Sequence, residues 1–165
     1  MRIRKKYTLL IIGFIFLGWI SGFAWQEVED SRILQVVFFD VGQGDSIFIE
    51  TPEGQQILID GGPDQKVIEK LSRYMPSWDK SIDLVIFTHP DSDHIGGLIP
   101  VLEQYKVQQV LWTGVTKDTS IVRKWRETLQ TEIQEGAEEI IANNSQKLVL
   151  SERDSLYIDI LHPDQ

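Results

Sequence analysis

The sequence predicts an α/β domain, and three observations carry that prediction. Runs rich in β-branched and aromatic residues alternate with segments whose apolar residues recur at helical spacing, the pattern of helices packed on a covered sheet. One run, Leu84-Val-Ile-Phe87, is continuously apolar, as a strand buried on both faces requires. A content of 42% apolar and 10% aromatic residues supplies a globular core and excludes a disordered chain.

The chain opens with Arg2, Arg4, Lys5 and Lys6, followed by an uncharged, Leu-, Ile-, Phe- and Trp-rich stretch from Tyr7 to Gln26. About 20 apolar residues match the roughly 30 Å hydrocarbon core of a bilayer, longer than the apolar region of a cleaved signal peptide. The expected order is a basic cytoplasmic N-terminus (1–6), one transmembrane signal anchor (7–26), a polar linker (27–32) and a domain over 33–165. The positive-inside rule places that domain outside the membrane. Gly22-Phe-Ala24 has the form of a small-x-small cleavage site, so secretion after cleavage is the alternative.

Within the domain, Ile33–Phe39, Ser46–Thr51 and Gln55–Ile59 read as strands. Asp40-Val-Gly-Gln-Gly-Asp45 is a turn between the first two, and Pro52-Glu-Gly54 another. Val67, Ile68, Leu71 and Met75 make a helical stripe that Pro76 ends. Gly97 to Tyr105 is a short helix that tolerates Pro100 in its first turn, and Val107–Trp112 a strand. Asp118 is expected to cap a helix running to Glu135, with Val122, Trp125, Leu129 and Ile133 on one face and Gly136 as its stop. Glu139–Ala142, Lys147–Leu150 and Ser155–Leu161 read as three more strands, with Asn143-Asn-Ser as a turn.

The chemistry gathers where the buried strand ends, in His89-Pro-Asp91-Ser-Asp93-His94-Ile-Gly96-Gly97. Pro-Asp-Ser-Asp is also good turn chemistry, but a turn does not require a His on each side. Alternate residues His89, Asp91 and Asp93 can point one way from an extended loop, and His94 follows, so four N/O ligands can converge. The glycines allow a sharp turn and close approach.

Thr88-His89-Pro-Asp91-Ser-Asp93-His94-Ile-Gly96-Gly97 resembles the metal-binding motif of the metallo-β-lactamase superfamily, T-H-x-H-x-D-H-x-G-G, with Asp91 in place of its second His. Together with Phe39-Asp40-Val-Gly42-Gln43-Gly44-Asp45-Ser46 and Ile57-Leu-Ile-Asp60-Gly61-Gly62, it is similar to the ComEC-type branch of DNA-uptake proteins. The resemblance implies the N-terminal part of an αββα sandwich and two divalent ions in the complete fold, Zn²⁺ or Mn²⁺, with Mg²⁺ a further option. It assigns His89 and Asp91 to one ion and Asp93 and His94 to the other, with Asp93 orienting the attacking water and Asp60 supporting the metal loop through hydrogen bonds. A carboxylate in place of an imidazole shifts preference towards the harder Mn²⁺ and Mg²⁺.

The superfamily completes this site with further ligands downstream, whereas the only other histidine here is His162, in a terminal His-Pro. Three protein ligands per ion are usual, so an N-terminal fragment of a longer protein is expected. Three functions follow. The first is a membrane-anchored extracytoplasmic phosphodiesterase or nuclease. The second is a hydrolase of a small ester, amide or lactone on the same fold, and the third a non-catalytic, membrane-tethered module. No cysteine is present, which removes thiolate ligands and a Cys nucleophile. The net charge of −9 falls further once the basic N-terminus is set aside, which opposes tight DNA binding because Lys and Arg supply most non-specific affinity. Lys117, Arg123, Lys124 and Arg126 form the one basic patch beyond the membrane segment, read as a solvated helix face with a phosphate-contacting edge as the alternative.

Overall fold

The computed structural model describes residues 14–16, 18, 33–151 and 155–161. The chain divides into two units, Met1–Ile33 and Leu34–Gln165. In the first, residues 14–16 and 18 are helical. The expected 7–26 span otherwise lies outside the described residues, and no helix among those described is long and apolar enough to cross a membrane. His162 also lies outside them.

The second unit is a mixed α/β structure. Strands β1 (Gln35–Phe38), β2 (Ile47–Glu50), β3 (Gln56–Ile59), β4 (Ser81–Phe87), β5 (Lys106–Trp112) and β6 (Glu138–Ile141) form one sheet in sequence order. The first two pairings are antiparallel and the last three parallel. The change follows from connection length. Short turns join β1 to β2 and β2 to β3, whereas helical crossovers lead from β3 to β4 and from β5 to β6. The third crossover, from β4 to β5, carries the metal-loop motif. The four mutually parallel strands, β3 to β6, therefore end on the same side, and the chemistry-bearing loops follow β3 and β4 there.

Helices α1 (Lys66–Tyr74), α2 (Ser92–Ile95), α3 (Leu98–Gln104) and α4 (Ser120–Glu135) complete the unit. One face of the sheet packs on them through Phe48, Leu58, Val85 and Phe87 against Leu71, Leu98, Val101 and Trp125. Phe87 stacks on Trp112 at 5.9 Å and meets Trp125 at 5.2 Å, so truncating it would cost about 3–5 kcal/mol. The other face packs Ile57, Leu84 and Leu111 against Leu148, Leu150 and Ile158 of a separate hairpin, β7 (Lys147–Ser151) and β8 (Leu156–Asp159). Leu84 and Val85 serve opposite faces, which is why that run is apolar throughout. The hairpin does not cover β1, where Val36 is 46% and Phe38 75% exposed.

Two local expectations are corrected. The cap of α4 is Thr119, whose hydroxyl accepts from the Val122 amide at 3.4 Å. Asp118 instead pairs with Arg123. Both residue types cap well, and the choice falls to the one in register with the buried stripe Val122, Trp125 and Leu129. The metal loop is extended only to Asp91. Ser92–Ile95 is a helical turn in which the His94 and Ile95 amides donate to the Asp91 carbonyl at 3.0 Å each. Burying Ile95 completely explains the turn, since an extended path would leave that side chain in water. Gly136, at φ 113°, ends α4 as expected.

Glu132 is a carboxylate that this packing buries. It is 6% exposed on the last turn of α4, and burial, then the neighbouring Glu135, push its pKa up from 4.5. A raised folded-state pKa means the proton is held more tightly in the native state, so the ionised form costs stability above that pKa and nothing well below 4.5. Glu132→Gln should therefore stabilise the domain at pH 8, with the gain fading to nothing near pH 4, in paired urea titrations of variant and wild type.

Candidate metal centre

The site begins with a buried acid at the end of β3. Asp60 is 2% exposed and adopts φ 54°, a left-handed conformation that Asp tolerates better than most residues. Its amide donates to the Ile86 carbonyl at 2.9 Å. Its carboxylate accepts three hydrogen bonds: the Thr88 amide at 2.9 Å on Oδ1, and the Thr88 hydroxyl at 2.5 Å and His94 Nδ1 at 2.8 Å on Oδ2.

Those bonds determine both imidazole tautomers. A carboxylate can only accept, so His94 Nδ1 carries a proton. The Thr88 hydroxyl spends its proton on Asp60, so it accepts from His89 Nδ1 at 2.9 Å. Each ring is thus held through Nδ1 and presents the lone pair of Nε2, as a metal-binding histidine with an oriented ring does. The rings lie 3.9 Å apart between centroids.

His89 Nε2 also stands 3.5 Å from Asp91 Oδ2. Two ligands bound at about 2.1 Å around a tetrahedral ion are separated by roughly 3.4 Å, so this pair is spaced as one coordination edge and the residues fit a divalent ion. Asp60, His89 and His94 have ligand atoms within 4.8 Å of one another. Asp60 nevertheless acts as a holder, because three of its roughly four acceptor positions are filled.

The other two acids, Asp91 and Asp93, are each engaged by a further side chain. Asp91 pairs with Lys117, whose hydrogen bond and charge hold its carboxyl below the usual carboxylate range. Asp93 accepts from the Gln43 side-chain amide at 3.2 Å. The contacts from Gln43, Lys117 and Thr88 were not among the expected site interactions. Thr88 could have been found from its place in the motif, but Gln43 and Lys117 come from distant segments. Arg123 and Lys124 of the basic patch are engaged by Asp118 and Glu103.

Glycines allow the three loops to meet. A Cβ on Gly44, at φ 77°, would lie 1.8 Å from the Asp93 carbonyl oxygen, and one on Gly97 would lie 1.9 Å from the Gly61 carbonyl oxygen. The Gly61 amide donates to the His94 carbonyl at 2.8 Å and the Gly97 amide to the Gly62 carbonyl at 2.9 Å. Backbone is locked to backbone, with no space for a side chain between.

Residues 39–111 match the Metallo-beta-lactamase superfamily, a segment that contains Asp60, Thr88, both histidines and both loop acids. No curated protein matches the chain. Among solved structures, a Thermotoga maritima protein described as a candidate metallo-beta-lactamase is similar at 19% identity with a TM-score of 0.46, over 70% of this chain and 60% of that one. The chain thus spans 60% of the length of that protein.

Asp60→Asn keeps a residue that tolerates positive φ but turns an amide donor towards the Thr88 and His94 donors. It should destabilise the domain by about 2–4 kcal/mol through buried donors left without acceptors, and weaken divalent-metal binding by about 10- to 100-fold. Urea denaturation and a Zn²⁺ titration of the same samples measure the two effects.

Proposed function

We propose that this chain carries metal ligands of a divalent-metal-dependent hydrolase acting on phosphodiesters, of the ComEC-type branch and held at the outer face of a membrane by its N-terminal apolar segment. The observation that carries the metal reading is the paired presentation of Nε2 by His89 and His94, with Asp91 one coordination edge from His89. His89 and Asp91 would hold one ion, and His94 and Asp93 a second. When bound, such ions lower the pKa of a water and neutralise charge developing on the substrate.

The roles of the protein groups follow from their contacts. Thr88 and Asp60 fix both imidazoles, so that neither ring must reorganise to bind. Asp93, which accepts from the Gln43 side-chain amide, would accept a hydrogen bond from the attacking water and orient it. A carboxylate at position 91 adds negative charge and hardness, which favours Mn²⁺ or Mg²⁺ over Zn²⁺ and suits phosphate oxygen chemistry. The negative net charge argues that any nucleic-acid substrate is held locally at the site and not by a broad basic surface. The basic cluster at residues 2–6 and the uncharged run of 7–26 support anchoring with the domain outside.

The test is hydrolysis of bis(p-nitrophenyl) phosphate by the whole protein with added Mn²⁺. Turnover should stop with EDTA, return with excess Mn²⁺, and fall about 100-fold or more in Asp93→Ala, the scale of a lost group that positions a proton. Turnover that survives the chelator, or that Asp93→Ala leaves intact, would refute this function.

A further inference from the structure

The Lys117 side chain belongs to neither core cluster, and only its backbone carbonyl, which accepts from the Thr119 amide at 2.9 Å, takes part in the local fold. It lies in the connection between β5 and α4, is half exposed, and among the described residues makes its ion pair with Asp91. Lys66, a second cation near these loops among the described residues, is engaged by the Val41 carbonyl at 3.4 Å and by Asp64 at 3.9 Å. Among the described residues Lys117 is therefore the ammonium group paired with the ligand set, and its partner is the carboxylate that stands one coordination edge from His89.

From this pairing we propose that Lys117 is the residue that selects an anionic substrate at the metal centre, a role that rests on the metal-binding reading above. Asp91 meets Lys117 through Oδ1 and faces His89 through Oδ2, so a dication taken on Oδ2 would share the one negative charge on which the ammonium depends. With the centre loaded, the ammonium would be left beside a carboxylate whose charge the ion already offsets. A phosphodiester supplies that counter-charge through a non-bridging oxygen, whereas a neutral ester or lactone does not. The same side chain thus opposes metal binding in the empty centre and favours anion binding in the loaded one. Compact, hydrated ammonium on a flexible stem suits such an exchange of partners.

Two opposed shifts in Lys117→Met test this without any turnover. Isothermal titration with Mn²⁺ should show roughly two- to fivefold tighter metal binding, the scale of a released exposed ion pair. Titration of dimethyl phosphate into Mn²⁺-loaded protein should show binding weaker by a similar factor, with Lys117→Arg close to wild type. Binding of neutral trimethyl phosphate should not move. Because Lys117 is exposed and supports no core contact, the variant keeps its fold, which circular dichroism checks. Mn²⁺ binding unaltered in Lys117→Met, or both affinities moving in one direction, or an equal loss for trimethyl phosphate, overturns the assignment to Lys117 while leaving the metal centre standing. Wild-type protein that binds no Mn²⁺ overturns the metal-binding reading, and this assignment with it.

Discussion

Asp60 is the constraint on which the site depends. One buried carboxylate receives the Thr88 amide, the Thr88 hydroxyl and His94 Nδ1, and through the hydroxyl it also sets the orientation of His89. A buried charge without such donors would be costly. Here the donors come from the strand end and the helical turn that must be brought together, so satisfying the acid and assembling the site are the same event. The left-handed backbone at Asp60 aims the carboxylate at these donors where a strand would have carried it past them.

The surrounding architecture makes that arrangement possible by a different kind of interaction. Parallel pairing of β3, β4 and β5 brings the loops of two strands to one end, and the contacts of Gly44 with Asp93 and of Gly61 with Gly97 close the distance between them. These contacts are steric and unforgiving, since an added methyl has no void to enter. The peripheral pairs, Lys117 with Asp91 and Gln43 with Asp93, are exposed and contribute little to stability. The imidazoles are thus tied to the buried Asp60 and to Thr88, while the loop acids Asp91 and Asp93 meet exposed partners.

Much of this was legible in the sequence because it is local. The strand Leu84–Phe87 announced itself by an apolar run serving two faces, and the close spacing of His89 and His94 brought the rings together at 3.9 Å. What escaped was decided by tertiary competition. Asp118 and Thr119 are adjacent cap formers, and only the packing of Val122 and Trp125 chooses between them. The helical turn Ser92–Ile95 replaces an extended loop because Ile95 has a core to enter, which periodicity over four residues cannot reveal. Gln43 and Lys117 reach the loop acids from 50 and 26 residues away, distances at which no local pattern speaks.

The central claim is that both imidazoles are held through Nδ1 and offer Nε2 to a divalent ion. Long-range ¹H–¹⁵N correlation spectra of histidine-labelled protein read this directly, before and during titration with diamagnetic Zn²⁺. His89 and His94 should both appear as Nδ1–H tautomers in the metal-free protein, and on titration both Nε2 resonances should shift together while the Nδ1 protons persist. An Nε2–H tautomer at either ring, or Zn²⁺ that leaves both Nε2 resonances in place, would contradict the account.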